Sequence, residues 1–168
     1  MDWSRRNAAF TVFFLLAILA FAGTAGYAIT TGDQQRSSSE FYLLAENESG
    51  SLTANDYPQA FTAGEPQELV VGISNREQRP ISYTVLVEVQ RVQTVDGTTT
   101  VLETERLHRF TPRVAGDRTW RQRHDVAPTI IGERLRLTYM LYRGNPPANP
   151  SVDDAYRKLH IWVNVTAA

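Results

Sequence analysis

The chain has 168 residues, with 17 basic and 18 acidic side chains and a formal net charge of −1. It contains no cysteine, which removes disulfide frameworks and thiolate metal sites. From Ser37 onward 14 basic residues stand against 16 acidic ones, so the basic surface of a nucleic-acid binder is excluded as well.

Residues 1–7 hold Arg5 and Arg6 and are expected to form a cytoplasmic tail. Residues 8–29, AAFTVFFLLAILAFAGTAGYAI, are uncharged. As a helix they would run about 33 Å, enough to cross a hydrocarbon core of roughly 30 Å. A cleaved secretory signal has a shorter apolar region, about 7–15 residues. Ala20-Phe21-Ala22 and Gly26-Tyr27-Ala28 have the small residues of a cleavage site, so removal is the alternative; length favours a retained signal anchor. The two arginines ahead of the helix place the N-terminus inside and everything from about residue 31 outside. Both readings export the rest of the chain. Residues 30–39, TTGDQQRSSS, are polar and aperiodic and read as a flexible linker.

Residues 40–168 alternate with a period of two. The first strand is Glu40 to Ala45. Leu69, Val71 and Ile73 mark the second, and Tyr83, Val85, Val87 and Val89 the third. Asp96-Gly97 is a tight hairpin turn, since both of its central positions need positive φ. The fourth strand returns from Thr98 to about Arg109. Trp120, Gln122, His124 and Val126 share one face of the fifth, Leu135, Leu137, Tyr139 and Leu141 one face of the sixth, and Leu159, Ile161, Val163 and Val165 one face of the last. Seven strands separated by Gly, Pro and Asn turns predict an all-β sandwich. One helical hint is present, Ser151 to Arg157, with Ser151 as cap and Asp153 and Asp154 in the first turn; it follows the proline-rich GNPPANP.

Three stretches carry a resemblance: EFYLLAENESG (Glu40–Gly50), YPQAFTAGE (Tyr57–Glu65) and VVGISNREQRPISYTVLVEV (Val70–Val89). With LTYMLYR (Leu137–Arg143) and AYRKLHIWVNV (Ala155–Val165), they are similar in order and spacing to the exported half of the archaeal family called domain of unknown function 1616. The resemblance implies an envelope protein with an immunoglobulin-like exported domain. It supplies no activity. Longer members of that family carry several membrane helices ahead of this half, and this chain has a single apolar segment there.

Residues that carry chemistry are few. His108, His124 and His160 are far apart in sequence, no H-E-x-x-H occurs, and a metal would need carboxylates from distant loops. Gly72-Ile73-Ser74 begins like a nucleophile elbow, but Arg76 stands where glycine is required. No glycine-rich phosphate loop or other cofactor motif appears, so neither an enzyme nor a cofactor is expected. Asn47 and Asn164 begin N-x-S/T sequons and are candidate glycosylation sites. Arg121 and Arg123 face opposite to Trp120 and His124 and suggest either a basic stripe for an acidic partner or a solvated face paired with Glu103 and Glu105. His160 and Trp162 point outward if the last strand's aliphatic residues point in, and Met140 and Tyr142 lie on the corresponding face of their strand. Together these four form a candidate contact surface, unless the proline-rich loop or the linker covers it. The expected role is that of a single-pass membrane protein whose extracytoplasmic domain is a binding or scaffolding module of the cell envelope, with envelope proteins or glycans as partners; the alternative is a carbohydrate-binding or glycan-processing accessory module.

Overall fold

The computed structural model describes residues 39–168. The expected tail, the membrane helix 8–29 and nearly all of the linker lie outside the described residues. Among the described residues no helix is long and apolar enough to cross a membrane.

Ten strands follow in order: β1 (Ser39–Glu46), β2 (Leu52–Thr53), β3 (Ala60–Thr62), β4 (Gln67–Asn75), β5 (Ile81–Val95), β6 (Thr98–Phe110), β7 (Arg113–Val114), β8 (Arg118–Val126), β9 (Gly132–Arg143) and β10 (Arg157–Thr166). The smaller sheet has the order β2-β1-β4-β8, the larger β3-β10-β9-β5-β6, with β7 beside β5. All pairings are antiparallel except β3 with β10. The seven long strands are those read from the sequence, six of them as apolar or extended runs and the fourth as the return from the Asp96-Gly97 turn. The first, second and fifth share one sheet and the third, fourth, sixth and seventh the other, an immunoglobulin-like partition in which the fourth strand lies beside the third.

The core forms where the two inner faces meet. Leu69, Val71 and Ile73 of β4 pack with Val85, Val87 and Val89 of β5 and Leu135, Leu137 and Leu141 of β9, all buried. Val163 and Val165 of β10 join them fully, Leu159 and Ile161 partly. The β5–β6 hairpin turns at Asp96 and Gly97, whose φ values of 49° and 77° are both positive, as that turn type demands. At the β4–β5 corner Asn75 is buried. Its Oδ1 accepts from the Glu77 amide at 3.0 Å, and its Nδ2 donates to the Arg79 and Val114 carbonyls at 2.9 and 3.0 Å. A buried amide that satisfies both ends of a corner is a structural part.

The helical hint at Ser151–Arg157 is corrected. These residues form a hydrogen-bonded turn. Ser151 Oγ donates to Asp154 Oδ2 at 2.5 Å and accepts weakly from the Asp154 amide at 3.4 Å. The capping chemistry is present, but the chain enters β10 at Arg157 before a second helical turn can form.

Candidate ligand-binding groove

The site is built on the outer face of the larger sheet. On β5 the residues pointing away from the core are Thr84, Leu86, Glu88 and Gln90, and all four are nevertheless buried. On β9 the corresponding residues are Arg136, Thr138, Met140 and Tyr142. What buries most of this face is the segment between β9 and β10. Val152 and Ala155 pack on Leu86, Met140 and Tyr142 as a second apolar cluster. Two hydrogen bonds pin the segment: Tyr142 Oη donates to the Ser151 carbonyl at 2.7 Å, and Thr84 Oγ1 to the Gly144 carbonyl at 2.7 Å. Burial, reinforced by nearby Asp154 and Glu88, raises the Tyr142 phenol to about 12. Pro146, Pro147 and Pro150 restrict the loop's backbone, so this cover is stiff.

The cover stops short of the β5–β6 hairpin. Between them lies a groove of about 590 Å³. Its floor is a continuous polar chain. Arg106 Nε and Nη2 donate to Glu88 Oε1 at 3.2 and 3.0 Å. Gln90 Nε2 donates to Glu88 Oε2 at 3.0 Å, and Gln90 Oε1 accepts from Arg136 Nε and Nη2 at 3.1 and 2.7 Å. The Gln90 amide thus relays between a buried carboxylate and a second guanidinium. Glu88 has its cation in Arg106; Arg136, half-buried, has only an amide oxygen and no ion-pair partner among the described residues. Burial pulls Arg136 below its ordinary range, opposed by Asp153 across the groove. Lys158 stands 3.6 Å from Asp153 on the loop wall. A guanidinium has five N–H donors, and among the described residues only the two to Gln90 are committed.

Four sequence-derived candidates fall on this outer face, but they separate. Met140 and Tyr142 are buried, 0 % and 3 % exposed, so they are not contact surface; the proline-rich loop lies over them. Trp162 is 41 % exposed and His160 is exposed, their rings 5.6 Å apart edge to face. Trp162 is the cross-strand partner of Arg136, and the Arg134 guanidinium lies 5.3 Å from its ring centroid. The open aromatic end therefore adjoins the groove.

Arg121 and Arg123 sit on the opposite side of the molecule, on the outer face of the smaller sheet. Their partners differ from the expected Glu103 and Glu105, because β8 pairs with β4 and not with β6. Arg123 pairs with Glu46 at 2.9 Å and also with Glu68, while Arg121 Nε donates to Tyr42 Oη at 3.0 Å. The Tyr42 ring lies across Gly72, where a Cβ would come within 2.2 Å of it. Glu103 instead meets Arg91, and Glu105 accepts from the Thr129 and Ile130 amides. Asn47 is half-buried and Asn164 exposed. Asn47 Oδ1 accepts from the Ser49 amide at 3.1 Å and the Ser49 hydroxyl at 2.7 Å, closing a turn, and Asn164 Oδ1 accepts from the Arg134 amide at 2.9 Å.

One cluster had no sequence signal. His108 and His124 meet with ring centroids 5.3 Å apart, packed with Phe110, Trp120 and Tyr139. The edge strands β6 and β8 belong to different sheets, and His108 Nε2 donates to the Asp125 carbonyl at 2.5 Å across that seam. Among the described residues no three His, Asp or Glu side chains converge on a metal position.

The model of the family described as "Domain of unknown function (DUF1616)" matches residues 33–164. No curated protein matches the chain. Among solved structures it is similar to the CARDB domain of a Pyrococcus furiosus protein in complex with di-metal ions, at 13% identity and TM-score 0.46, over 79% of this chain and 97% of that one. It is similar to a β-glucosidase from Listeria innocua at 10% identity and TM-score 0.48, over 78% of this chain but 16% of the enzyme. The sporulation control protein Spo0M from Bacillus subtilis follows at 10% identity and TM-score 0.43, over 78% and 50%. The fold assignment rests on the two sheets themselves.

Proposed function

We propose, for a chain that belongs to the domain of unknown function (DUF1616) family, a non-catalytic binding module held outside a membrane by residues 8–29, taking its ligand in the groove on the outer face of the larger sheet. The observation that carries this reading is the groove's floor: Glu88, Gln90, Arg106 and Arg136 are joined in one hydrogen-bonded chain beneath a proline-stiffened wall. A polar face that served solubility alone would be left open to water. Here a loop crosses most of it and leaves one recess with fixed donors, the usual build of a preformed polar site. The membrane tether is supported by the length of the apolar segment and by Arg5 and Arg6 ahead of it.

Labelled full-length chain should bind isolated cell envelopes saturably. Filling the recess with Thr104→Trp should abolish that binding, whereas Ser74→Trp on the other outer face should leave it intact. Equal binding by both variants would overturn the site. For the tether, the absence of cysteine gives a unique handle. Ser49→Cys should react with a membrane-impermeant maleimide on intact cells, and labelling only after lysis would reverse the orientation.

Trp162 favours the carbohydrate-binding reading over a protein-scaffolding one. It is a large aromatic left open beside a groove whose walls carry Thr99, Thr104, Asn149 and Ser151, and such a platform with hydroxyl and amide partners suits sugar rings.

A further inference from the structure

We propose that the groove recognises a carboxylate-bearing saccharide, a uronic acid unit, with Arg136 as the carboxylate anchor and Trp162 as the adjoining ring platform; the inference rests on the groove being the binding site.

The charges select the ligand. Along the groove the cations are Arg106, Arg136 and Lys158, and the anions are Glu88 and Asp153. Arg106 with Glu88 and Lys158 with Asp153 account for two of each. One positive charge remains, and it belongs to Arg136. A single carboxylate would neutralise it. Arg134, 5.3 Å from the Trp162 ring, stands at the rim as a further cation.

Geometry agrees with charge. Gln90 Oε1 takes the Nε and Nη2 side of Arg136 and thereby fixes the plane of the guanidinium. The remaining N–H groups have no partner among the described residues, and a planar fork held at one side is suited to bidentate pairing with a carboxylate at the other. Gln90 is itself held by Glu88, and Glu88 by Arg106. Arg106 is in this sense a positioning residue: it fixes Arg136 through two intermediates. Trp162 is paired with Arg136 across β10 and β9, so the Cβ atoms lie about 5 Å apart, and a sugar whose carboxylate meets Arg136 places its ring toward Trp162. An acidic peptide would satisfy Arg136 as well, but it has no ring to set on Trp162, and the walls at Thr99, Thr104, Asn149 and Ser151 offer the hydroxyl and amide partners that sugar hydroxyls use.

The test uses full-length chain in detergent and four probes: tetragalacturonate, its methyl ester, cellotetraose and tetraglutamate. Titration calorimetry should give saturable binding of tetragalacturonate, at least about tenfold weaker binding of the ester and of cellotetraose, and a similar loss with Arg136→Gln. Arg136→Lys should recover part of the affinity, and Arg123→Gln on the other outer face should lose none. Tetragalacturonate should also perturb tryptophan fluorescence, and Trp162→Phe should remove that change. If cellotetraose binds as well as tetragalacturonate and Thr104→Trp abolishes both, the groove stands and the carboxylate assignment is overturned. If tetraglutamate binds more tightly through Arg136, the saccharide assignment is overturned. If no probe binds, the inference fails while envelope binding by the chain still judges the groove independently.

Discussion

The two outer faces of the sandwich use the same residue types for different ends. On the smaller sheet Glu40 pairs with Arg76 and Arg123 with Glu46 and Glu68, and every partner is about half exposed or more. On the larger sheet Glu88 pairs with Arg106, but the carboxylate is 4% exposed. The difference comes from the connection between β9 and β10, which docks Val152 and Ala155 on Leu86, Met140 and Tyr142. A charge left in water is hydrated whether or not it is paired, so its pair is replaceable. A charge under a cover has lost that hydration and depends on its protein partners. The cover, more than the composition, separates a solvated surface from a site.

The strongest way to break this contrast is to remove the strand beneath the covered face. A chain ending at Arg157 lacks all but the first residue of β10, which lies between β3 and β9 in the larger sheet. It loses Val163 and Val165, each 2% exposed, along with partly buried Leu159 and Ile161. Fully burying an aliphatic side chain contributes roughly 1.5–3 kcal/mol, and a domain's net stability is only about 5–15 kcal/mol. The truncated chain should show no cooperative melt by circular dichroism and should aggregate on gel filtration. A melt like that of the full chain would mean that the larger sheet is not the structural base of the groove.

The second test stays within the covered face. Arg106→Ala leaves Glu88 buried with only the Gln90 amide for company. Removing one partner of a buried pair costs about 3–5 kcal/mol, and the low end applies because Arg106 is itself 48% exposed. In a Glu88→Gln background the same substitution should cost no more than about 1 kcal/mol, since no buried charge is then stranded. Urea denaturation of the four proteins measures the coupling. Equal costs in both backgrounds would show the Glu88–Arg106 pair to be as dispensable as a surface pair.

Most of the long strands were legible because alternation survives in them: Leu69-x-Val71-x-Ile73 and Tyr83-x-Val85-x-Val87-x-Val89 name their own inner faces, whereas β6, largely exposed and without a period, was legible only through the Asp96-Gly97 turn that precedes it. β2, β3 and β7 were not, because two or three residues cannot display a period. The groove was only half legible. Leu86-x-Glu88-x-Gln90 identifies an outward face, but nothing local says that the outward face is covered, since that depends on Val152 docking more than sixty residues later. For the same reason the sequence left Met140 and Tyr142 undecided between open surface and burial under the proline-rich loop. His108 and His124 lie on strands of different sheets, so their meeting is a property of the fold and of no sequence spacing.

That histidine seam offers a smaller effect, where the two sheets touch. His124 Nδ1 faces the Gln122 carbonyl at 3.3 Å and Nε2 faces Tyr139 Oη at 2.9 Å, which suits a neutral ring accepting the tyrosine proton. Burial lowers the His124 value below 6.5; the Gln122 carbonyl opposes this, His108 on β6 adds to it, and Asp125 and Glu68 oppose it. Deep burial also keeps the Tyr139 phenol protonated. Because the folded value lies below the unfolded one, the unfolded chain binds more protons in that window. The contribution of His124 is therefore complete above pH 6.5 and is lost as pH falls from there through the folded value. Stability measured in urea should decline from pH 7.5 toward pH 5 more steeply than in His124→Gln, which keeps a hydrogen-bonding group without titrating. Parallel curves would place the seam's pH response elsewhere.

The smallest effect is expected on the open face, and its smallness is what sharpens the comparison. Arg123 has two carboxylate partners, more than Arg106, and by counting ion pairs its loss should matter more. Physical reasoning inverts that order. Its side chain is 52% exposed, and Glu46 and Glu68 at 44% and 45% regain water as soon as it is gone. Hydration then replaces most of what the guanidinium supplied, and salt screens what remains. Arg123→Ala should leave the melting temperature within about 2 °C of the unaltered protein, and raising salt from 0.1 to about 1 M should not widen that difference. A drop comparable to that of Arg106→Ala would mean that the smaller sheet's outer face is covered in the native protein, by the membrane surface or by a bound partner. The open and covered faces would then have to be reassigned from the burial that partner imposes.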